Sequence, residues 1–187
     1  MDMPPDSRDG FDLLPKARSD IAQMSRKARD SVLSPADPGA WSIDWRHAVA
    51  ARICRLHGIG GLDAGYLAKV ADPAVAGLAD PTHRGRDAAE TVVLAFMDRV
   101  ATTPREIVAG DITALTDAGV AEPDVVRLCE MAAFLAYQCR VAAGLALIAG
   151  GVQLAGSSTS SPAPCRIGSP GSPRSGWTRQ RPSSSRR

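Results

Sequence analysis

From Glu122 to about Ile148 the chain is apolar on nearly every face, and this one segment limits what the rest can fold into. Glu122-Pro123-Asp124 opens it with proline near the first turn and acids at the positive end of a helix. Val125, Leu128, Met131, Phe134, Leu135, Val141 and Leu145 then cover more than one stripe. A helix apolar all round must be buried by other elements or shared with another subunit. The stretch Leu128 to Gly150 also carries Glu130, Gln138 and Arg140, which argues against a membrane span.

The remaining signals are helical as well. Ser42 can cap a helix over Trp41 to His57, in which Trp45, Val49, Ile53 and Leu56 share one face. Gly58 ends it, and a short helix fits Leu62 to Val70. Asp72-Pro73 and Asp80-Pro81 bracket a further helical turn. Ala88 to Thr102 places Val92, Val93, Phe96, Met97 and Val100 together. Thr103-Pro104-Arg105-Glu106 has the form of a capping box, and Asp111 starts a helix that Ala118-Gly119 stops. Sustained period-two alternation and Asn-Gly or Asp-Gly hairpins are both missing, so the fold class is all-α.

Three regions follow. Residues 1–40 form a polar, proline-containing arm, with a short helix around Asp20–Leu33 whose Ile21, Met24, Ala28 and Val32 share a face. Residues 41–150 form the helical domain. Residues 151–187 are a disordered basic tail of Ser, Pro, Gly and Arg. Such abrupt enrichment suits a GC-rich gene read out of frame.

Six arginines and no acid lie in 157–187, although the whole chain carries only +2. The remaining 1–156 hold 16 basic against 20 acidic residues, a net of −4. A nucleic-acid partner calls for positive charge on folded surface, and none is expected here. Aromatics are only 4%, too few for a base-stacking platform. The N-terminus has early acids and no apolar core of a signal peptide, which places the protein in the cytoplasm.

Cys54, Cys129, Cys139 and Cys165 contain no Cys-x-x-Cys pair and no zinc spacing. Cys129 and Cys139 on one helix would lie about 15 Å apart, too far to bridge. Neither a metal nor a cofactor is implied. Cys54 precedes His57 by one helical turn, so the two could touch and activate the thiol. The opposite reading is a small buried hydrophobe, and no partner in sequence stands ready to resolve a Cys54 sulfenic acid. His47 and His57, ten residues apart on one helix, diverge by about 80° and do not form one ligand face. His57 is placed to cap the helix C-terminus as a cation. His83 reads as loop. Glu130, in the apolar last helix, is expected to meet an arginine of the Trp45–His57 helix, Arg52 or Arg55. Tyr66 and Tyr137 could add hydroxyls to the same pocket between helices.

The segment Arg46-His-Ala-Val-Ala-Ala-Arg-Ile-Cys-Arg-Leu-His-Gly-Ile-Gly-Gly-Leu-Asp-Ala-Gly-Tyr66 resembles the central helical hairpin of the carboxymuconolactone decarboxylase and alkylhydroperoxidase D-like family. The order of segments from Phe96-Met-Asp-Arg-Val through Thr103-Pro-Arg-Glu-Ile and Asp111-Ile-Thr-Ala-Leu to Ile148 is similar to its peroxidase-related members. The resemblance covers roughly residues 20–150. It implies a compact helical bundle with a central hairpin and a long C-terminal core helix, and assembly into homo-oligomers.

The family's peroxidases carry Cys-x-x-Cys-x-x-x-His on the second hairpin helix and a glutamate upstream. The resemblance puts the two cysteine positions on Ile59 and Leu62, the histidine on Tyr66 and the glutamate near His47. None of the four matches, so the family-level oxidoreductase reading comes without two-cysteine peroxidase activity. Two alternatives stand beside it. One is a decarboxylase-like enzyme acting on a lactone or small carboxylate, with His47, His57, Arg52, Arg55 and Glu130 converging on a closed pocket. The other is a non-catalytic accessory protein, in which these residues are dispersed.

Overall fold

A computed structural model describes Phe11 and residues 18–148. The chain divides into a unit of Met1–Val152 and a second of Gln153–Arg187, and the second lies outside the described residues. The expectations for the 151–187 tail, and for most of the arm before Arg18, fall there too.

Among the described residues every regular element is helical. In chain order they are α1 (Ser19–Leu33), α2 (Ile43–Leu56), α3 (Leu62–Leu67), α4 (Pro73–Ala76), α5 (Ala88–Thr102), α6 (Ala109–Asp117) and α7 (Glu122–Ile148). Short 3-10 turns follow α4 and α5.

The centre of the domain is α2. It touches α1, α3, α4, α5 and α7, and every residue from Trp45 to Cys54 is buried. Ser42 caps it, its Oγ accepting from the Trp45 amide at 3.2 Å. Gly58, at φ +67°, turns the chain sharply into α3, a left-handed position that suits glycine.

The last helix, expected to be buried by other elements or shared with another subunit, is buried only in part. α7 buries Val125, Leu128, Met131, Leu135 and Cys139 against its neighbours but exposes Val126, Tyr137, Leu147 and Ile148. By length and composition it could cross a bilayer, and 44% of its most apolar window is buried inside the fold.

Two smaller expectations also change. α1 forms where expected, yet it buries Ala22, Ser25 and Leu33 and leaves Met24 68% exposed. The inner face is set by contact with α7, where Ser25 Oγ lies 2.9 Å from the Tyr137 hydroxyl. The Thr103 capping box does not form: Thr103 makes no side-chain cap, and only one 3-10 turn, Pro104–Glu106, follows. The α6 start holds half of such a motif, with Asp111 Oδ2 accepting from the Val108 amide at 2.9 Å.

Candidate functional site

Cys54 on α2 and Cys139 on α7 bring their sulfurs within 3.9 Å of each other. The residues are 0% and 1% exposed. The expectation that Cys54 has no thiol partner is corrected here. The partner lies 85 positions away, on α7, and sequence spacing carries no signal for it. The two thiols titrate as a unit. The sulfur–sulfur contact with Cys54 holds Cys139 below the ordinary thiol value, against burial and with help from Arg140. Cys54 in turn is pushed far up, first by the contact with Cys139 and then by burial. Cys129 is exposed.

A polar pair sits beside the sulfurs. The Tyr66 hydroxyl of α3 donates to Gln138 Oε1, next to Cys139 on α7. Burial pushes this phenol up, and Cys54 adds to the effect. The rings of His47 and Tyr66 lie 6.1 Å apart and tilted by 55°. His47 Nδ1 is 2.8 Å from the Ile43 carbonyl, so that nitrogen carries the proton and donates. Burial holds the imidazole below its ordinary value, so it is neutral in the core. These are the two positions onto which the resemblance projects a glutamate and a histidine, and the fold makes them neighbours. The two projected thiol positions are apolar: Ile59 packs against the core and Leu62 is 5% exposed.

His57 does not become a helix-capping cation. It terminates α2 through its backbone, but burial and then Arg140 lower its side-chain pKa. Its Nε2 is buried with no hydrogen-bond partner, so that nitrogen makes no bond to Cys54.

The arginines of α2 are occupied by the chain itself. Arg52 binds both oxygens of Asp98 and donates to the carbonyls of Leu78, Asp80, Pro81 and His83. Arg46 donates to the carbonyls of Trp41, Val32 and Pro38. Arg55 pairs with Asp63 at 3.0 Å and donates to the Ala79 carbonyl. His83 sits in the loop as expected, its Nδ1 accepting from the Gly85 amide.

Glu130 is exposed and bridges to none of them, which corrects the expected buried pair. The most buried carboxylate among the described residues is Glu90 on α5, 3% exposed, which accepts from the Trp45 indole at 2.9 Å and from the Arg86 amide and guanidinium. Burial alone would raise its pKa, and the bonds from Arg86 and Trp45 outweigh it and hold the carboxyl low. The i, i+4 spacing of Arg86 and Glu90 was a usable signal for this pair. Tyr66 and Tyr137 do not share a pocket. Tyr137 is 39% exposed and reaches Ser25, while Tyr66 reaches Gln138.

A cleft of about 360 Å³ opens between the starts of α2 and α5, lined by Ala40, Trp41, Ser42, Trp45, Arg86, Asp87, Ala89 and Glu90. It contains none of the residues singled out in the sequence for chemistry. Among the described residues no group of three His, Cys, Asp or Glu side chains could hold a metal ion. Comparison with protein-family models, curated proteins and solved structures finds no match to the chain.

Proposed function

We propose that the chain is a cytoplasmic, oligomeric protein of the carboxymuconolactone decarboxylase and alkylhydroperoxidase D-like type, peroxidase-related in its scaffold. It is an accessory protein in this reading and does not turn over hydroperoxides with a cysteine pair. The observation that carries this is the sealing of its thiol chemistry. Cys54 and Cys139 are buried at 0% and 1%, and the hairpin positions of the family thiols hold Ile59 and Leu62. Neither sulfur reaches solvent, and the Cys139 contact together with burial pushes the Cys54 thiol up, which makes Cys54 a poor nucleophile.

The hairpin of α2 and α3 supports the scaffold assignment, because His47 and Tyr66 meet where that fold brings its acid–base residues together. The decarboxylase-like alternative has less support. It needs cations free to hold a carboxylate, and Arg52 and Arg46 spend their donors on backbone carbonyls. Val126 on α7, Ile112 on α6 and Val108 just before α6 are exposed apolar side chains, consistent with a subunit contact.

A coupled hydroperoxide-reduction assay on the full chain and on Cys54→Ala tests the proposal. Both proteins are expected to be inactive. Turnover in the parent that vanishes in the variant overturns the reading. Sedimentation at micromolar concentration checks the assembly, and a monomer removes the oligomeric part.

A further inference from the structure

We propose that Cys54 and Cys139 form a reversible modification site, closing to a disulfide that joins α2 to α7 when a small two-electron oxidant such as hydrogen peroxide enters the core. This goes beyond the scaffold reading and does not depend on it, since it rests on the position of two sulfurs.

The geometry is already close. The sulfurs are 3.9 Å apart, and a disulfide needs about 2 Å. Closing the gap calls for side-chain rotation about χ1 between two helices that already pack against each other. Cys129 is exposed on α7 and has no such neighbour among the described residues.

The chemistry balances with one peroxide. The Cys139 sulfur attacks a peroxide oxygen, an S–O bond forms and the O–O bond breaks. The departing hydroxide takes the thiol proton and leaves as water, and Cys139 is now a sulfenic acid. The Cys54 sulfur attacks Cys139, the S–S bond forms and the S–O bond breaks. The second hydroxide takes the Cys54 proton and leaves as water. The sulfurs together lose two electrons and the peroxide gains them. Cys139 reacts first because its contact with Cys54 and the charge of Arg140 both favour its thiolate.

Burial makes the reaction slow and stoichiometric, since oxidant must wait for the core to open locally. A dithiol reductant reverses it. The product closes a loop across most of the folded domain, and such loops restrict the unfolded chain strongly.

The test treats the reduced full chain with hydrogen peroxide in native buffer, then maps cysteines by digestion without reductant and mass spectrometry. The expected result is a Cys54 peptide linked to a Cys139 peptide, released by dithiothreitol. The melting temperature should rise by roughly 10 °C on oxidation and return on reduction. Cys139→Ala and Cys54→Ser should each lose the linked peptide and the rise together. Recovery of Cys54 and Cys139 as free thiols or sulfinic acids overturns the proposal, as does linkage to Cys129 or Cys165. Peroxide turnover in the coupled assay would overturn the accessory reading and leave this site standing.

Discussion

Arg52 and Asp98 meet in a two-pronged ion pair, Nε to Oδ1 and Nη2 to Oδ2, both at 2.6 Å. The arginine side chain is only 3% exposed, and its remaining donors reach four carbonyls of residues 78–83. Arg52→Ala would leave a carboxylate and several carbonyls without their donor. The expected loss is roughly 3–5 kcal/mol in urea unfolding. Arg52→Lys should recover little of it, since an ammonium cannot reproduce the planar fork. A loss under 1 kcal/mol for the alanine variant would refute this view of the residue.

Glu90 gathers the Trp45 indole, the Arg86 amide and the Arg86 guanidinium on one buried carboxylate. Glu90→Gln keeps the shape and removes the charge. It should cost about 1–3 kcal/mol. Tryptophan emission should shift as the indole loses its anionic acceptor, and an unchanged spectrum with unchanged stability counts against the network.

His47 and His57 both bind protons more weakly in the fold than their ordinary value of 6.5. The unfolded chain therefore protonates first as pH falls. The stability these neutral imidazoles permit is complete above about pH 7 and is lost as pH drops through 6.5 toward 5. Asp63 and Glu90, whose carboxyls are held low, contribute their own losses only below about pH 4.5. The melting temperature should fall from pH 7 to 5, and His57→Gln should make that slope shallower. A flat profile between those limits would contradict it.

Gly58 and Gly85 both have positive φ, +67° and +102°. A Cβ on Gly58 would meet nothing within 4 Å, whereas on Gly85 it would lie 2.7 Å from the Thr91 amide nitrogen. Gly58→Ala should cost about 1–2 kcal/mol from backbone strain alone. Gly85→Ala should cost roughly 3 kcal/mol or more, because backbone cannot move aside cheaply. Thermal or urea melts compare the two directly, and equal losses would contradict the ranking.

The helices were legible because their signals are local. The face of Val92, Val93, Phe96, Met97 and Val100, the Ser42 cap and the Gly58 stop all appear in α2 and α5 as read. What failed was local evidence asked to answer a long-range question. Arg46, His47 and Arg52 carry no local sign of burial in the sequence, yet backbone carbonyls and Asp98 satisfy them inside the core. Glu90 and Glu130 both sit inside apolar helices, and only tertiary packing decides that Glu90 is inside and Glu130 outside. Met24 faces outward because α1 is a peripheral helix whose seat is chosen by Ser25 and Tyr137. The Cys54–Cys139 contact joins residues from opposite halves of the domain, beyond any periodicity.

The guanidinium of Arg52 also bears on the order of events when the chain opens and closes. It is the shared hub of α2, the loop of residues 78–83 and α5. None of the three can detach without abandoning acceptors that the other two hold in place. Loop amides that look accessible should therefore exchange with solvent at the pace of the central helices, as members of one cooperative unit.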